Sequence, residues 1–149
     1  MAEAGAAVQA GQPIMYVDAS GNAQFLGFNM LPATAISVNA SSGNVANASA
    51  VAAMPVDAAR TNYVTGFELT AAGSTAGLAV TATLAGVLGG TLSFAFTFPI
   101  GVLVPAQPLF VEFPEPIPAS AINTAITLTL PAGGTGNTAA SATIPGFKN

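Results

Sequence analysis

The stretch that decides the fold covers residues 61–113 and reads TNYVTGFELTAAGSTAGLAVTATLAGVLGGTLSFAFTFPIGVLVPAQPLFVEF. Large apolar side chains alternate in it with Thr, Ser and Ala, most clearly in residues 91–98, TLSFAFTF. A period of two places alternate side chains on opposite faces of a β-strand. Glycines and prolines separate these segments, which indicates turns between them. The stretch therefore predicts several consecutive strands.

The same stretch raises the question of a membrane span, because no charged side chain lies between Glu68 and Glu112. A run of that length could cross a bilayer as a helix. Pro99, Pro105 and Pro108 interrupt it, and proline breaks the interior of a helix. The period of two also disagrees with a helix. We therefore predict strands and no association with a membrane.

Outward from this stretch, residues 125–130 and 140–144 show the same alternation, and residues 45–54 show it weakly. Prolines at positions 114, 116 and 118 predict an exposed elbow after the strand that contains residues 109–113, since proline cannot donate a ladder hydrogen bond. Short strands separated by turn residues are typical of antiparallel sandwiches. We predict an all-β antiparallel sandwich of about eight strands in residues 44–149.

The first part of the chain has a different pattern. Residues 1–13 are rich in Ala and Gly, and two short apolar runs at 14–17 and 24–28 flank the turn residues DASGNA. Two short runs around such a turn predict a β-hairpin at about 14–28. Residues 29–43 contain Pro32 and a Ser/Asn/Gly cluster and predict a linker with one short extended piece. Residues 1–43 thus form a predicted N-terminal arm.

The predicted core follows from the inward face of each strand. The phenylalanines of residues 91–98 could also line a ligand pocket, but strand-spaced phenylalanine favours a plain core. The predicted core residues are Tyr63, Phe67, Leu69, Val80, Leu84, Leu92, Phe94, Phe96, Phe98, Leu109, Val111, Phe113, Ile126, Leu128, Leu130 and Ile144.

Composition limits the class of function. Hydrophobic residues make up 52% of the 149 residues and charged residues 5%, against about 25% charged residues in ordinary soluble domains. A surface with so little charge favours association, so we predict an obligate assembly. The net charge of −4 with two basic residues argues against a nucleic-acid partner, because phosphate neutralisation needs several Lys or Arg.

The sequence offers few groups for chemistry, since it contains no Cys and no His. The usual base that activates a serine nucleophile is therefore missing. Glu112 and Glu115 form the one close carboxylate pair, on an elbow without Trp, and are interpreted as solvated loop charges. Arg60 could pair with Asp57. We predict no catalytic, metal or cofactor site and no enzymatic activity.

Several segments form a pattern of turns and spacing, namely TNYVTGFE at 61–68, GGTL at 89–92, PIG at 99–101, FVEFPEPIPAS at 110–120, NTAI at 123–126 and PGF at 145–147. Together they resemble small structural proteins of tailed bacteriophages, the capsid decoration (cement) and head-fibre-base proteins. The similarity covers roughly residues 44–147, and it is not a catalytic signature.

This resemblance implies a jelly-roll β-sandwich that forms a homotrimer and stabilises a phage head by binding its outer surface. It implies the major capsid protein as partner and the virion as location. The N-terminus lacks the pattern of a signal peptide, so we expect synthesis in the host cytoplasm. The alternative is a receptor- or carbohydrate-binding module of a phage fibre or tail component. The residues of the arm that we expect to contact the capsid are Ile14, Met15, Tyr16, Val17, Phe25, Leu26 and Phe28.

Overall fold

The computed structural model describes residues 15–17, 23–25, 31–32 and 34–149. The chain divides into two compact units, Met1–Ala35 and Ile36–Asn149. In the first unit, β1 (Met15–Val17) pairs in antiparallel fashion with β2 (Ala23–Phe25), as expected for the predicted hairpin. Of the predicted capsid contacts, Ile14, Leu26 and Phe28 lie outside the described residues. Met15, Tyr16, Val17 and Phe25 lie in the paired strands, and their contact with a capsid stays a prediction.

The second unit consists of eight strands in two four-stranded sheets, and every strand pair is antiparallel. The first sheet has the order β3-β10-β5-β8 and the second β4-β9-β6-β7. This confirms the predicted all-β sandwich. In the described part of the chain no helix is long and apolar enough to cross a membrane. The strands are β3 (Ile36–Ser41), β4 (Ala50–Ala53), β5 (Asn62–Ala71), β6 (Leu78–Ala85), β7 (Leu92–Phe98), β8 (Leu109–Pro118), β9 (Thr127–Leu130) and β10 (Ala140–Lys148).

The connections gather at two opposite ends of the sandwich. Only the β6–β7 connection stays within one sheet, and every other one crosses to the opposite sheet. At one end, the backbone N–H of Thr75 donates to the carbonyl of Thr135, and that of Asn47 donates to Asn137. We call this the apolar end, and it contains connections 42–49, 72–77, 99–108 and 131–139. The other, the charged end, contains connections 54–61, 86–91 and 119–126.

Strand β3 belongs to the sandwich, although the sequence placed the start of this domain at residue 44. Its residues 36–41 pair with β10 along their whole length. The alternation of Ile36, Val38 and Ala40 brings Val38 and Ala40 into or against the core. The compact unit therefore starts at Ile36, and the linker of the predicted arm is shorter than expected.

One hydrophobic core lies between the two sheets and contains residues from both. Among the predicted core residues, those that are buried are Phe67, Leu69, Leu84, Phe96, Phe98, Ile126, Leu128, Leu130 and Ile144. Those that are half-buried and pack against this cluster are Val80, Leu92, Phe94, Leu109, Val111 and Phe113. In β4, the small side chains of Ala50 and Ala52 face the core, and Met54, which follows the strand, is also buried.

The prediction for Tyr63 was wrong, because β5 changes its alternation in the middle. Thr143 of β10 faces Glu68, whereas Gly146 faces Val64, so β5 contains one more residue than β10 in this interval. Such a bulge reverses the faces on which the side chains lie. Val64 is buried, and Tyr63 is half-exposed with its ring stacked on Phe147 at 4.9 Å.

The prolines at 114, 116 and 118 lie inside β8 and not after it. Because β8 is an edge strand, proline there removes few ladder bonds. Its pairing with β5 is interrupted between the pairs Gly66–Glu112 and Val64–Ile117. The predicted elbow is therefore a bulged segment of the strand.

A buried asparagine fastens each end of the sandwich. At the charged end, the Nδ2 of Asn62 donates to the carbonyls of Pro55 and Thr124 at 3.3 and 2.9 Å. At the apolar end, the Nδ2 of Asn137 donates to the carbonyls of Ala72 and Ala139 at 2.7 and 3.1 Å. Buried carbonyls need such partners, so each amide holds its loops together.

Candidate interaction surface

The β7–β8 connection, residues 99–108, is bound to the β5–β6 connection through its backbone. The N–H of Ser74 donates to the carbonyl of Pro99 at 3.0 Å, and the N–H of Gly101 donates back to Ser74 at 2.8 Å. The N–H of Gly73 donates to Val104 at 2.7 Å, and Val104 donates to Gly101 at 3.0 Å. The loop is therefore held in one conformation although it lies at the surface.

Two glycines make this arrangement possible. Gly101 has a φ of 113°, a conformation that residues with a Cβ rarely adopt. A Cβ on Gly73 would overlap the carbonyl oxygens of Pro99 and Gly101. The Gly residues therefore allow the two backbones to approach closely.

Residues 100–104, which we call the apolar loop, expose their side chains from this fixed backbone. Leu103 is 87% exposed and Ile100 73%, and Val102 and Val104 are also exposed. A single exposed apolar side chain is normal, but a contiguous group marks a contact surface. Because its backbone is already ordered, the apolar loop would lose little conformational entropy on binding.

The positive charge of the second unit lies at the charged end. Asp57 Oδ2 lies 3.8 Å from Arg60 Nη1 and 4.0 Å from Lys148 Nζ, so the predicted Asp57–Arg60 pair is present. These are the two basic residues of the chain. Among the described residues, Glu68, Glu112 and Glu115 consequently have no salt bridge.

A groove crosses the outer face of the sheet β3-β10-β5-β8, with a volume of about 470 Å³. Phe110 lies opposite Glu68 in the register of β8 and β5, and Glu112 lies opposite Gly66. Phe110 is 66% exposed. Gly66 lets the backbones of β5 and β8 approach closely at the groove, because a Cβ there would overlap the carbonyl oxygen of Val111. We call this feature the acidic groove.

The acidic groove offers more hydrogen-bond acceptors than donors. Its carboxylates, Glu68 and Glu112, are acceptors only when ionised. The hydroxyl of Thr65 already donates to the carbonyl of Pro145 at 3.1 Å. The hydroxyl of Thr143, which also lines the groove, donates to Ser41 Oγ at 3.5 Å. The amide of Asn39 carries the remaining side-chain donors of the groove.

The two carboxylates of the predicted pair do not share the acidic groove, because Glu115 does not line it. Glu112 and Glu115 are both exposed on β8, and the groove joins Glu112 with Glu68 instead. Sequence analysis missed this pairing because the two residues belong to different strands, although both occupy outward positions. Within the described residues no group of three or more His, Cys, Asp or Glu could hold a metal ion.

Comparison with protein-family models, curated proteins and solved structures finds no match to this chain.

Proposed function

We propose that the chain is a virion structural protein, a decoration or cement protein that forms a homotrimer and binds the outer surface of a tailed-phage head. Its partners would be copies of itself and the major capsid protein, and its role would be structural and not enzymatic. The observation that carries the proposal is the rigid apolar loop on a unit whose surface has very little charge.

The strand order supports a jelly roll as the finer description of the sandwich. Counted from β3, the sheets have the orders 1-8-3-6 and 2-7-4-5. Jelly rolls are eight-stranded double sheets built from two Greek keys, and viral capsid domains use them. Lectin domains use them as well, so the strand order does not select the function by itself.

The apolar loop supports binding to a large, preformed surface. Leu103 projects from a backbone fixed by Gly73 and Gly101. Burying one leucine side chain stabilises a complex by about 1.5–3 kcal/mol. The three chains of one trimer would bind together, and the higher effective concentration would increase the affinity of the trimer for the head. Binding only to the assembled head would then stabilise that head by mass action.

Self-association has separate support. Neither sheet has a basic residue on its outer face, because Arg60 and Lys148 both lie at Asp57. Threonine, serine and alanine occupy most outward positions of β6 and β7, so close packing of copies would require little desolvation of charge. The number three comes from the resemblance. Light scattering should give three times the chain mass of 14.5 kDa.

Binding to heads is tested by mixing the purified full-length protein with heads of the encoding phage that lack it, followed by sedimentation. Leu103→Ser should weaken binding about 10- to 100-fold, given the free energy of burying leucine. The matched control is Leu88→Ser, since Leu88 is 62% exposed at the charged end. It should bind like the unmodified protein.

Two results would overturn the proposal. One is that the unmodified protein does not sediment with the heads under any condition at which the heads are intact. The other is that both leucine variants bind equally well, which would remove the apolar loop from the interface. Circular dichroism should show that both variants are folded, since neither leucine is buried.

A further inference from the structure

We infer that the acidic groove is a docking site for an arginine side chain of a protein other than a copy of this chain. The inference does not depend on the proposed binding to heads, because the groove and the apolar loop share no residue. It is based on charge, on the balance of donors and acceptors, and on the exposed aromatic ring in the groove.

The negative charge of the groove is not paired with a basic side chain of the second unit. Glu68 and Glu112 have no salt bridge among the described residues, and both basic side chains lie at Asp57. Two carboxylates that share one groove favour a cation between them by direct electrostatic attraction. A positively charged ligand therefore fits this site better than a neutral or an acidic one.

The hydrogen-bond inventory narrows the ligand to a group rich in donors. Glu68 and Glu112 accept only, and the hydroxyl of Thr65 is used by Pro145. A guanidinium group has five N–H donors and no acceptor, and it binds carboxylates in a bidentate manner. A sugar hydroxyl both donates and accepts, and it would find few donors here beyond Asn39.

Phe110 supports the same ligand. Its ring is 66% exposed and is the register partner of Glu68, so a flat cation held by the carboxylate would lie near the aromatic face. Arginine stacks on aromatic rings and is hydrated more weakly than lysine. The groove has a volume of about 470 Å³ and is lined by Phe110 and by both carboxylates, so it has room for an arginine side chain beside them.

The arginine must come from another protein, because this chain contains one arginine in its described unit, Arg60, and it lies 3.8 Å from Asp57. Lys148, the other basic residue, is nearly buried at the same carboxylate. A copy of the chain could supply a basic side chain only by breaking this cluster. The variant Arg60→Gln therefore distinguishes the two cases: it should weaken self-association only if the arginine in the groove comes from another copy of the chain.

The experiment is a titration of the full-length, ¹⁵N-labelled protein with acetyl-Gly-Arg-Gly-amide, observed by NMR. The amide signals of residues 65–68 and 110–113 should shift. The same peptide with citrulline in place of arginine, which keeps the shape and removes the charge, should cause no such shifts. A neutral trisaccharide should also leave these signals in place.

Three variants measure how much the carboxylates and the aromatic ring of the groove contribute to peptide binding. Glu68→Gln with Glu112→Gln should weaken peptide binding at least about 10-fold, since charge-assisted hydrogen bonds are lost. Phe110→Ala should weaken it about 3-fold, as expected for an exposed cation–π contact. Glu115→Gln removes the same charge from β8 outside the groove and should change binding less than about 2-fold, by screening of exposed charges.

Each alternative outcome overturns the inference. If Glu115→Gln weakened binding as much as the double variant Glu68→Gln with Glu112→Gln, the peptide would be attracted by net charge and the groove would not be a site. Shifts with the trisaccharide, or equal shifts with citrulline, would assign the groove to a glycan or to a neutral ligand. Loss of self-association in Arg60→Gln, together with loss in the double glutamine variant, would make the groove an interface between copies.

Discussion

Replacing Phe67 with alanine tests whether one core joins the two sheets. Phe67 is 3% exposed in β5. Its ring packs edge-on against Phe94 of the opposite sheet, with centroids 4.6 Å apart, and lies 6.3 Å from the ring of Phe113. Removing a buried phenylalanine side chain costs about 3–5 kcal/mol, and each aromatic pair contributes about 0.5–1.5 kcal/mol within that loss.

The expected result is that Phe67→Ala lowers the free energy of unfolding by about 4 kcal/mol, a large part of the roughly 5–15 kcal/mol of a typical domain. The matched control is Phe110→Ala on the neighbouring strand. Because Phe110 is mostly exposed, its loss should change the free energy of unfolding by less than about 0.5 kcal/mol.

The assay is equilibrium unfolding in urea, followed by circular dichroism at two protein concentrations, since self-association would make stability depend on concentration. A double-mutant cycle with Phe67→Leu and Phe94→Leu should give a coupling of about 0.5–1.5 kcal/mol. The reasoning is refuted if Phe67→Ala costs no more than Phe110→Ala, because the two sheets would then not share the core around Phe67.

Two further changes test the packing of the loops. In Gly133→Ala the new methyl group would lie 2.5 and 2.6 Å from ring atoms of Phe98, so unfolding in urea should show a loss of about 1–3 kcal/mol; combined with Phe98→Leu the loss should be less than additive, and strict additivity would contradict this contact. Asn62→Ala leaves the carbonyls of Pro55 and Thr124 without their donor and should cost about 1–3 kcal/mol; hydrogen exchange should accelerate at the charged end and not at the apolar end, and a uniform acceleration would count against a local role.

The alternation of apolar side chains predicted most strands and the central core. Each strand buries one of its two faces, so the pattern is visible in the sequence of that strand alone. It predicted β7 nearly to the residue, since Phe94, Phe96 and Phe98 leave no choice of face. It failed at Tyr63, where β5 and β10 differ by one residue in length between two pairs. A bulge depends on the partner strand, and the sequence of one strand does not contain that information.

The start of the sandwich was placed too late for a similar reason. Residues 36–41 look weak as an isolated strand, with Ser37, Asn39 and Ser41 between small apolar residues. Pairing with β10 stabilises them. A truncation that tests the role of the arm should therefore end at Ala35, since removing residues 1–43 would also remove an edge strand of the sandwich.

The two candidate surfaces differ in how far the sequence could reveal them. The exposed run 100–104 follows a proline and contains a glycine, so a loop was predictable, but its attachment to Gly73 and Ser74 was not. The acidic groove depends on the register that places Phe110 beside Glu68. Only the pairing of distant strands creates that site.

The position of β10 has a consequence for biosynthesis. This strand lies between β3 and β5, so residues 36–41 have no neighbour in their sheet until residues 140–148 have left the ribosome. Pairing over such sequence distances is slow to form, so β3 and one side of β5 stay unpaired until the chain is nearly complete. Unpaired strand edges promote aggregation. The nascent chain is therefore most prone to aggregate when many copies are translated side by side.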